Sequence, residues 1–307
     1  MDWFFRRIRR TTGAVSVPER EPVMDNVPTQ GGDRGYIFGE SEAEISRLNF
    51  QHFMFRYAFG DDFSAPVPAP HSVLDVACGT GRWARDMARR FPTANVIGFD
   101  INRDQLDASL SEGERAGNDL LPQNCAFLQG DALQPFAFPA ASYELTMARA
   151  CSAFIPAAQW PHVMREMVRV TRPGGWIEVR DFGLVHSPNA ALNELTVKFA
   201  NMAQRRGIHP GAGPFLKQYL ESAGAQDVQV RYVTVRSGVY HTTRAGQLML
   251  ADYLALLERV GPGIEQMGID TLAHWRALLT QARTETRAQP DTHYAEVELT
   301  AAFGRRP

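Results

Sequence analysis

The 307-residue chain predicts an α/β fold on a doubly wound, mostly parallel sheet, and three features carry that expectation. The first is Val73-Leu-Asp-Val-Ala-Cys-Gly-Thr-Gly-Arg-Trp-Ala84, an apolar run that breaks into a glycine turn and continues as a helix. The second is Asn95-Val-Ile-Gly-Phe-Asp100, a strand pattern closed by an acid. The third is the alternation that follows: strand-like segments near 125–129, 143–148 and 176–180 are separated by helical ones. A helix from Gly81 to Phe91 is stopped by Pro92, Asn102 caps a helix running to Ala116, and residues 158–171 form another. Right-handed crossovers bring all the strand carboxyl ends to one edge, where Asp75, Asp100, Asp131 and Arg149 meet. The ligand crevice is expected there.

Glycines at 79 and 81 allow bare backbone to approach a ligand at a helix N-terminus, and Asp100 stands at the spacing that holds a ribose diol. The ligand is therefore read as a nucleoside-bearing cofactor. Gly79-Thr-Gly81-Arg-Trp-Ala84 fits the G-x-G-x-x-G/A turn of nicotinamide enzymes literally. Asp75, four residues before Gly79, opposes that reading, because its carboxylate repels a pyrophosphate. S-adenosylmethionine has no phosphate and offers a sulfonium and an α-amino group, both cationic.

The chain resembles the class I S-adenosylmethionine-dependent methyltransferases over residues 73–181. Leu74-Asp-Val-Ala-Cys-Gly-Thr-Gly81 is similar to the family's first motif and Asp100 to its ribose-binding acid. Phe127-Leu-Gln-Gly-Asp-Ala132 is similar to its adenine-contacting step, Tyr143–Ala150 to its fourth strand, and Arg172-Pro-Gly-Gly175 to the turn before its fifth. The resemblance implies a seven-stranded Rossmann-like sheet with one antiparallel strand. It implies S-adenosyl-L-methionine as cofactor, bound by Tyr36, Asp75, Ala77, Gly79, Gly81, Asp100, Ile101, Gln105, Gly130, Asp131, Ala132 and Arg149.

Composition sets outer limits. The formal net charge of -2 leaves no global basic field for nucleic acid or anionic membrane. Arginine supplies nearly all the positive charge, Lys198 and Lys217 being the only lysines. Cys78, Cys125 and Cys151 form no C-x-x-C pair, which suggests reduced thiols in a cytoplasmic protein and no zinc or other metal site. Cys78 reads as a spacer in the glycine turn. No apolar run approaches the ~20 residues that span a bilayer. The arginine-rich Met1–Arg10 segment lacks a signal-peptide core and reads as a flexible arm, with a short lipid-surface anchor as the alternative.

Residues 1–35 are read as a flexible leader and 36–307 as one domain. Within it, 36–63 form an N-terminal cap helix, opened by a capping box at Ser41–Glu44 and apolar on most sides. The Pro-rich 64–70 stretch is a stiff linker into a cofactor-binding core over 71–181. A helical cap segment occupies 183–223. Asp227–Arg236 and His293–Phe303 alternate as the last two strands. Helices over Thr243–Val260 and Gly268–Arg287 make 241–287 an insertion before the last strand. It is either part of a lid over the acceptor, or structural packing or a dimer face. The chain is read as a monomer or homodimer.

Methyl transfer from a sulfonium needs positioning and water exclusion above all. A base is needed only for a poorly ionised acceptor. His186 and Asp181, both following the fifth strand, are the candidates. His52, His162, His209 and His241 are weaker ones, and Tyr36, Gln51 and His52 are candidates for reaching into the pocket. The step after the fourth strand, Ala148-Arg-Ala-Cys-Ser-Ala, lacks the [DN]-P-P-[YF] of nucleic-acid amine methylation, and no basic aromatic patch suggests RNA or DNA. Phe50, Phe53, Met54, Phe154, Trp160, Phe199 and Phe215 favour a small organic acceptor of natural-product or secondary-metabolite type, methylated on O, N or C. The alternatives are a non-methylating binding subunit or cofactor-assisted cyclase, a lipid-quinone methyltransferase, and a nicotinamide oxidoreductase.

Overall fold

The computed structural model describes residues 42–102, 121–238 and 244–307. Helix α1 (Glu42–Phe59) precedes β1 (Ser72–Val76), α2 (Arg82–Arg90), β2 (Asn95–Asp100), β3 (Cys125–Gln129) and β4 (Tyr143–Arg149). Then come α3 (Trp160–Val170), β5 (Thr171–Phe182), α4 (Ala190–Arg205), α5 (Leu216–Ser222), β6 (Gln226–Arg236), α6 (Arg244–Gln266), α7 (Leu272–Ala288) and β7 (Glu296–Arg305). The seven strands form one sheet in the order β3-β2-β1-β4-β5-β7-β6. Strands β1 to β5 pair in parallel, and β7 runs antiparallel to both β5 and β6. The doubly wound sheet with one reversed strand is the fold read from the sequence.

Every residue of β1 is buried, which is why it reads as a continuous apolar run without alternation. Ser72 and Asp75 are its polar residues: Ser72 Oγ accepts from Glu144 N, and Asp75 lies one residue short of the strand's carboxyl end. Beneath β1, Trp83, Ala84, Met87 and Ala88 of α2 pack with Val96, Leu145 and Met147. The Asn124 side-chain amide donates to the carbonyls of Ala88, Phe91 and Ala94, so one residue closes the turn between α2 and β2.

A second core lies on the cap side. Met54, Phe55 and Phe59 of α1 join Leu192 and Leu195 of α4, Leu257 and Val260 of α6, and Trp275 and Leu279 of α7. Residues 244–287 thus pack back on the rest of the fold, with α6 against α1 and α7 against α4. Phe50 and Tyr57 remain 38% and 47% exposed, so α1 is covered on fewer sides than its composition suggests. The Ser41–Glu44 box, the leader and the Asn102–Ala116 helix lie outside the described residues or side chains.

Several boundaries differ from expectation, among them the start of α7, at Leu272 and not Gly268. Strand β5 starts at Thr171, because the Pro173-Gly174-Gly175 step joins the sheet through a register shift, and Gly174 N donates to Arg306 O. Helix α6 runs through Pro262 to Gln266: Gly261 seats closely on the Trp275 ring, and Val260 and Ile264 are buried on either side. Strand β7 begins at Glu296, later than His293. Among the described residues no helix is long and apolar enough to cross a membrane.

Candidate active site

The site begins where β1 ends. Ala77, Gly79 and Gly81 all have positive φ, at 52°, 56° and 66°. Alanine is uncommon there, so the turn holds Ala77 against its preference. Cys78 N donates to Phe99 O and Gly81 N to Cys78 O, fastening the turn to β2 before α2 departs. A Cβ on Gly81 would lie 2.3 Å from the Phe127 ring. That makes position 81 glycine-only on two counts, backbone conformation and space.

Two carboxyls flank this cradle. Asp75 is 1% exposed; it accepts from Ala84 N in the first turn of α2, while Oδ2 has no partner. Burial pushes its carboxyl up to about 7, against the pull of Arg149. An orphaned acceptor of this kind needs an occupant, and a cationic N–H donor suits it. Asp100 accepts from Gly79 N at 2.8 Å and Asn102 N at 2.9 Å, and burial raises its carboxyl too. Along the same edge Asp131 caps its own turn by accepting from Leu133 N, Gly130 N donates to Asp100 O, and Ala132 is buried. Ile101 is 54% exposed, an apolar face at the end of β2.

Arg149 closes the cradle at the end of β4. Its guanidinium lies 5.6 Å over the Trp83 ring and donates to His52 Nδ1 at 3.4 Å, and its Nε has no partner. His52 is buried and its Nε2 stands 3.0 Å from Asp86 Oδ2. Burial lowers its pKa, so the ring is neutral, donating from Nε2 and accepting at Nδ1. Burial works against ionisation of Asp86, but His52, Arg82 and Arg56 hold its carboxyl down to about 2.

Beside the cradle, at the ends of β4 and β5, a cavity of about 710 Å³ including its open mouth runs under the cap helices. Its walls are mostly apolar, with Phe182, Phe199, Ile208 and Leu256 prominent. Its ionisable wall residues, Arg47 and Asp252, pair with each other at 3.0 Å, and Gln51 Nε2 reaches Asp252 at 3.4 Å. Tyr253 donates its hydroxyl to Thr196 Oγ1. Ser152 lines the cavity and is bound to buried Asp181 behind it.

The structure sorts the sequence candidates. Asp75, Ala77, Gly79, Gly81, Asp100, Ile101, Gly130, Asp131, Ala132 and Arg149 follow the strand ends on one sheet edge, Gln51 lines the cavity, and Asp181 is buried behind Ser152 of its wall. Tyr36, Gln105 and His241 lie outside the described residues. His186 is not brought to the cavity: it is exposed, and its backbone pairs with Glu296, which draws it over the sheet edge. His162 sits on α3, and His209 packs on Phe215. Of the apolar cap residues, Phe199 lines the cavity, Met54 is core, Trp160 stacks on Tyr219, and Phe50 and Phe215 are exposed. Sequence reading missed Ser152, Arg47, Asp252 and Tyr253, which carry no motif and matter only through long-range pairing.

Glu194, Asp270 and His274 also converge, but Lys198 Nζ sits 2.6 Å from both Glu194 and Asp270. The cluster is an ion-pair network with its cation already in place.

A parallel sheet with one reversed strand, a glycine cradle and acids at successive strand ends define a class I S-adenosylmethionine-dependent methyltransferase, and the chain belongs to that family. Residues 73–175 match the methyltransferase domain family model. The chain is 31% identical over 206 residues to "Methyltransferase str3" of Strobilurus tenacellus, spanning 64% of this chain and 69% of that protein. It is 28% identical to "Secondary metabolism regulator LAE1" of Cochliobolus heterostrophus, over 73% of this chain and 74% of that protein. In fold it matches a Haemonchus contortus phosphoethanolamine N-methyltransferase bound to S-adenosylhomocysteine, with a TM-score of 0.50 and 16% identity. That match covers 85% of this chain and 58% of the other. The cofactor is S-adenosylmethionine, which sets the nicotinamide reading aside.

Proposed function

We propose that the chain transfers the sulfonium methyl group to a small, largely apolar organic acceptor of secondary-metabolite type held in the cap cavity. The observation that carries this reading is the cavity's position: it opens at the ends of β4 and β5, one strand from the glycine cradle on β1. A relative named as a secondary metabolism regulator supports the secondary-metabolite setting. When bound, the cofactor supplies an already activated methyl group. The protein orients it and excludes water.

In this reading Asp75 Oδ2 receives the α-amino group, Asp100 holds the ribose diol, and Gly79 and Gly81 admit the ligand backbone-close. Gly130, Asp131, Ala132 and Ile101 border the adenine, and Arg149, with its Nε unpartnered, closes the far side near Asp75. Tyr36 and Gln105 complete the set. Asp181 is the proton acceptor of the acceptor pocket; His186 has no place in it.

The test is a mass-spectrometric screen of candidate extracts incubated with protein and cofactor. Products heavier by one methylene are expected from apolar extracts. Cofactor binding with no such product from any extract would refute the acceptor assignment.

Two expected outcomes concern the cofactor. Replacing Asp100 with Ala weakens S-adenosylmethionine binding by about 1–3 kcal/mol, through loss of charge-assisted hydrogen bonds, as read by calorimetry. Asp75 gives the binding a pH dependence. Its carboxyl holds a proton below about 7, and a cationic amino group binds the ionised form. The dissociation constant therefore rises about tenfold for each pH unit below 7 and is flat above it. Asp75→Asn should remove that slope; a slope persisting in the variant would mean another group is responsible.

A further inference from the structure

We propose that Ser152 and Asp181 form a proton-accepting pair for a neutral, hydroxyl-bearing acceptor, so that the methyl group is delivered to oxygen. This deepens, and rests on, the reading of the cap cavity as the acceptor pocket.

The pairing is tight and directional. Asp181, fully buried at the end of β5, accepts from Ser152 Oγ at 2.5 Å and Phe182 N at 2.8 Å through Oδ1, and from Ser152 N at 2.8 Å through Oδ2. A hydroxyl has one proton. Ser152 commits its proton to Asp181, which leaves its oxygen lone pairs for a donor. Ser152 also lines the cavity, so that donor is the cavity's occupant. An acceptor O–H satisfies the geometry; a carboxylate or ether oxygen has no hydrogen to give.

The charge of the wall selects the same class. Arg47 and Asp252 are paired at 3.0 Å, so the wall presents them as a neutral unit. Among the described lining residues a carboxylate acceptor would meet no uncommitted cation, and an ammonium no uncommitted anion, while each would lose its hydration. A neutral apolar molecule with a phenolic or enolic hydroxyl enters without that cost. Tyr253 and Thr196, bonded to each other at 2.7 Å, add polarity without charge.

The proton balance closes within the site. As the acceptor oxygen attacks the methyl carbon, the carbon–sulfur bond breaks and its electron pair goes to sulfur. The acceptor's proton passes to Ser152 Oγ while the Ser152 proton passes to Asp181 Oδ1. Burial pushes the Asp181 carboxyl up to about 6, which suits a base working near neutrality. The Cys151 thiol, which senses Asp181, is raised well above its usual range by burial and stays neutral.

A purely structural role is the competing account, since the same bonds hold the turn at Cys151–Ala153. The experiment separates them. The full chain is incubated with labelled S-adenosylmethionine and simple neutral phenols and cyclic 1,3-diketone enols, alongside matched benzoates and benzylamines. O-methyl products are expected from the phenols and enols alone, with kcat rising through pH 6 to a plateau. Ser152→Ala should lower kcat by about 10²–10³-fold and flatten that rise. Calorimetric affinity for S-adenosylmethionine should stay as in the unmodified chain, while affinity for the phenol falls by no more than about tenfold, through loss of the single hydrogen bond to Ser152. Ser152→Thr should restore much of the rate, and Asp181→Asn should reproduce the loss. A Ser152→Ala variant with unchanged kcat and pH profile, or preferred transfer to benzoates or benzylamines, overturns the pair while leaving the pocket standing. No transfer to any class, with cofactor bound, refutes the pocket reading itself and the pair with it.

Discussion

Gly81→Ala is expected to abolish high-affinity cofactor binding and to destabilise the fold by about 2–5 kcal/mol. The left-handed backbone at position 81, with φ of 66°, costs about 1–2 kcal/mol for a residue with a Cβ. The added Cβ would also stand 2.3 Å from Phe127, an overpacking that costs about 1–3 kcal/mol. The Phe127 ring relieves the clash only by leaving the cradle, which removes the wall under the turn. The same ring lies where a Cβ on Gly98 would come within 2.9 Å, so its departure loosens β2 as well. Denaturant unfolding and calorimetry read both effects. A variant with the parent's midpoint and affinity would show that the close backbone approach is not what holds the ligand.

Trp275→Ala is expected to cost about 3–5 kcal/mol and to weaken the acceptor pocket more than the cofactor cradle. Trp275 is fully buried between α7 and α6, donates Nε1 to the Leu257 carbonyl, and seats against Gly261. Helix α6 also carries Asp252, Tyr253 and Leu256 of the cavity wall, and loosening α6 displaces them. A thermal scan and paired affinities for cofactor and acceptor test it. Equal losses of both affinities would mean that cap and cradle are one cooperative unit.

Much of this architecture was legible from residue patterns, and the legible parts share a cause. Strands β1, β2 and β3 are short, apolar and bounded by Gly, Pro or Asp, so local composition fixes their ends. The acids at 75 and 100 stand out because a carboxylate at the end of a buried strand has little structural reason to be there. Helix α6 misled at Pro262, because its continuation depends on Trp275 and Ile264, which are remote from the local breaker signal. Strand β5 misled at Pro173-Gly174-Gly175, where a turn signature was taken into the sheet by pairing with the chain's last residues.

The site followed the same division. The cradle belongs to one contiguous motif. The cavity wall is assembled from residues far apart in sequence: Arg47 with Asp252, and Ser152 with Asp181 behind it. No spacing announces those pairs. His186 shows the opposite failure, since nearness to β5 in sequence suggested nearness to the pocket, yet its backbone pairs with Glu296 at the sheet edge.

In the proposed binding mode the buried Asp75 carboxyl, whose Oδ2 has no partner, ionises to receive the cationic end of S-adenosylmethionine. Calorimetry at pH 6 in two buffers of different ionisation enthalpy counts the protons released on binding. A release close to one proton is expected, abolished in Asp75→Asn. Binding with no proton released, or the same release in the variant, would contradict it.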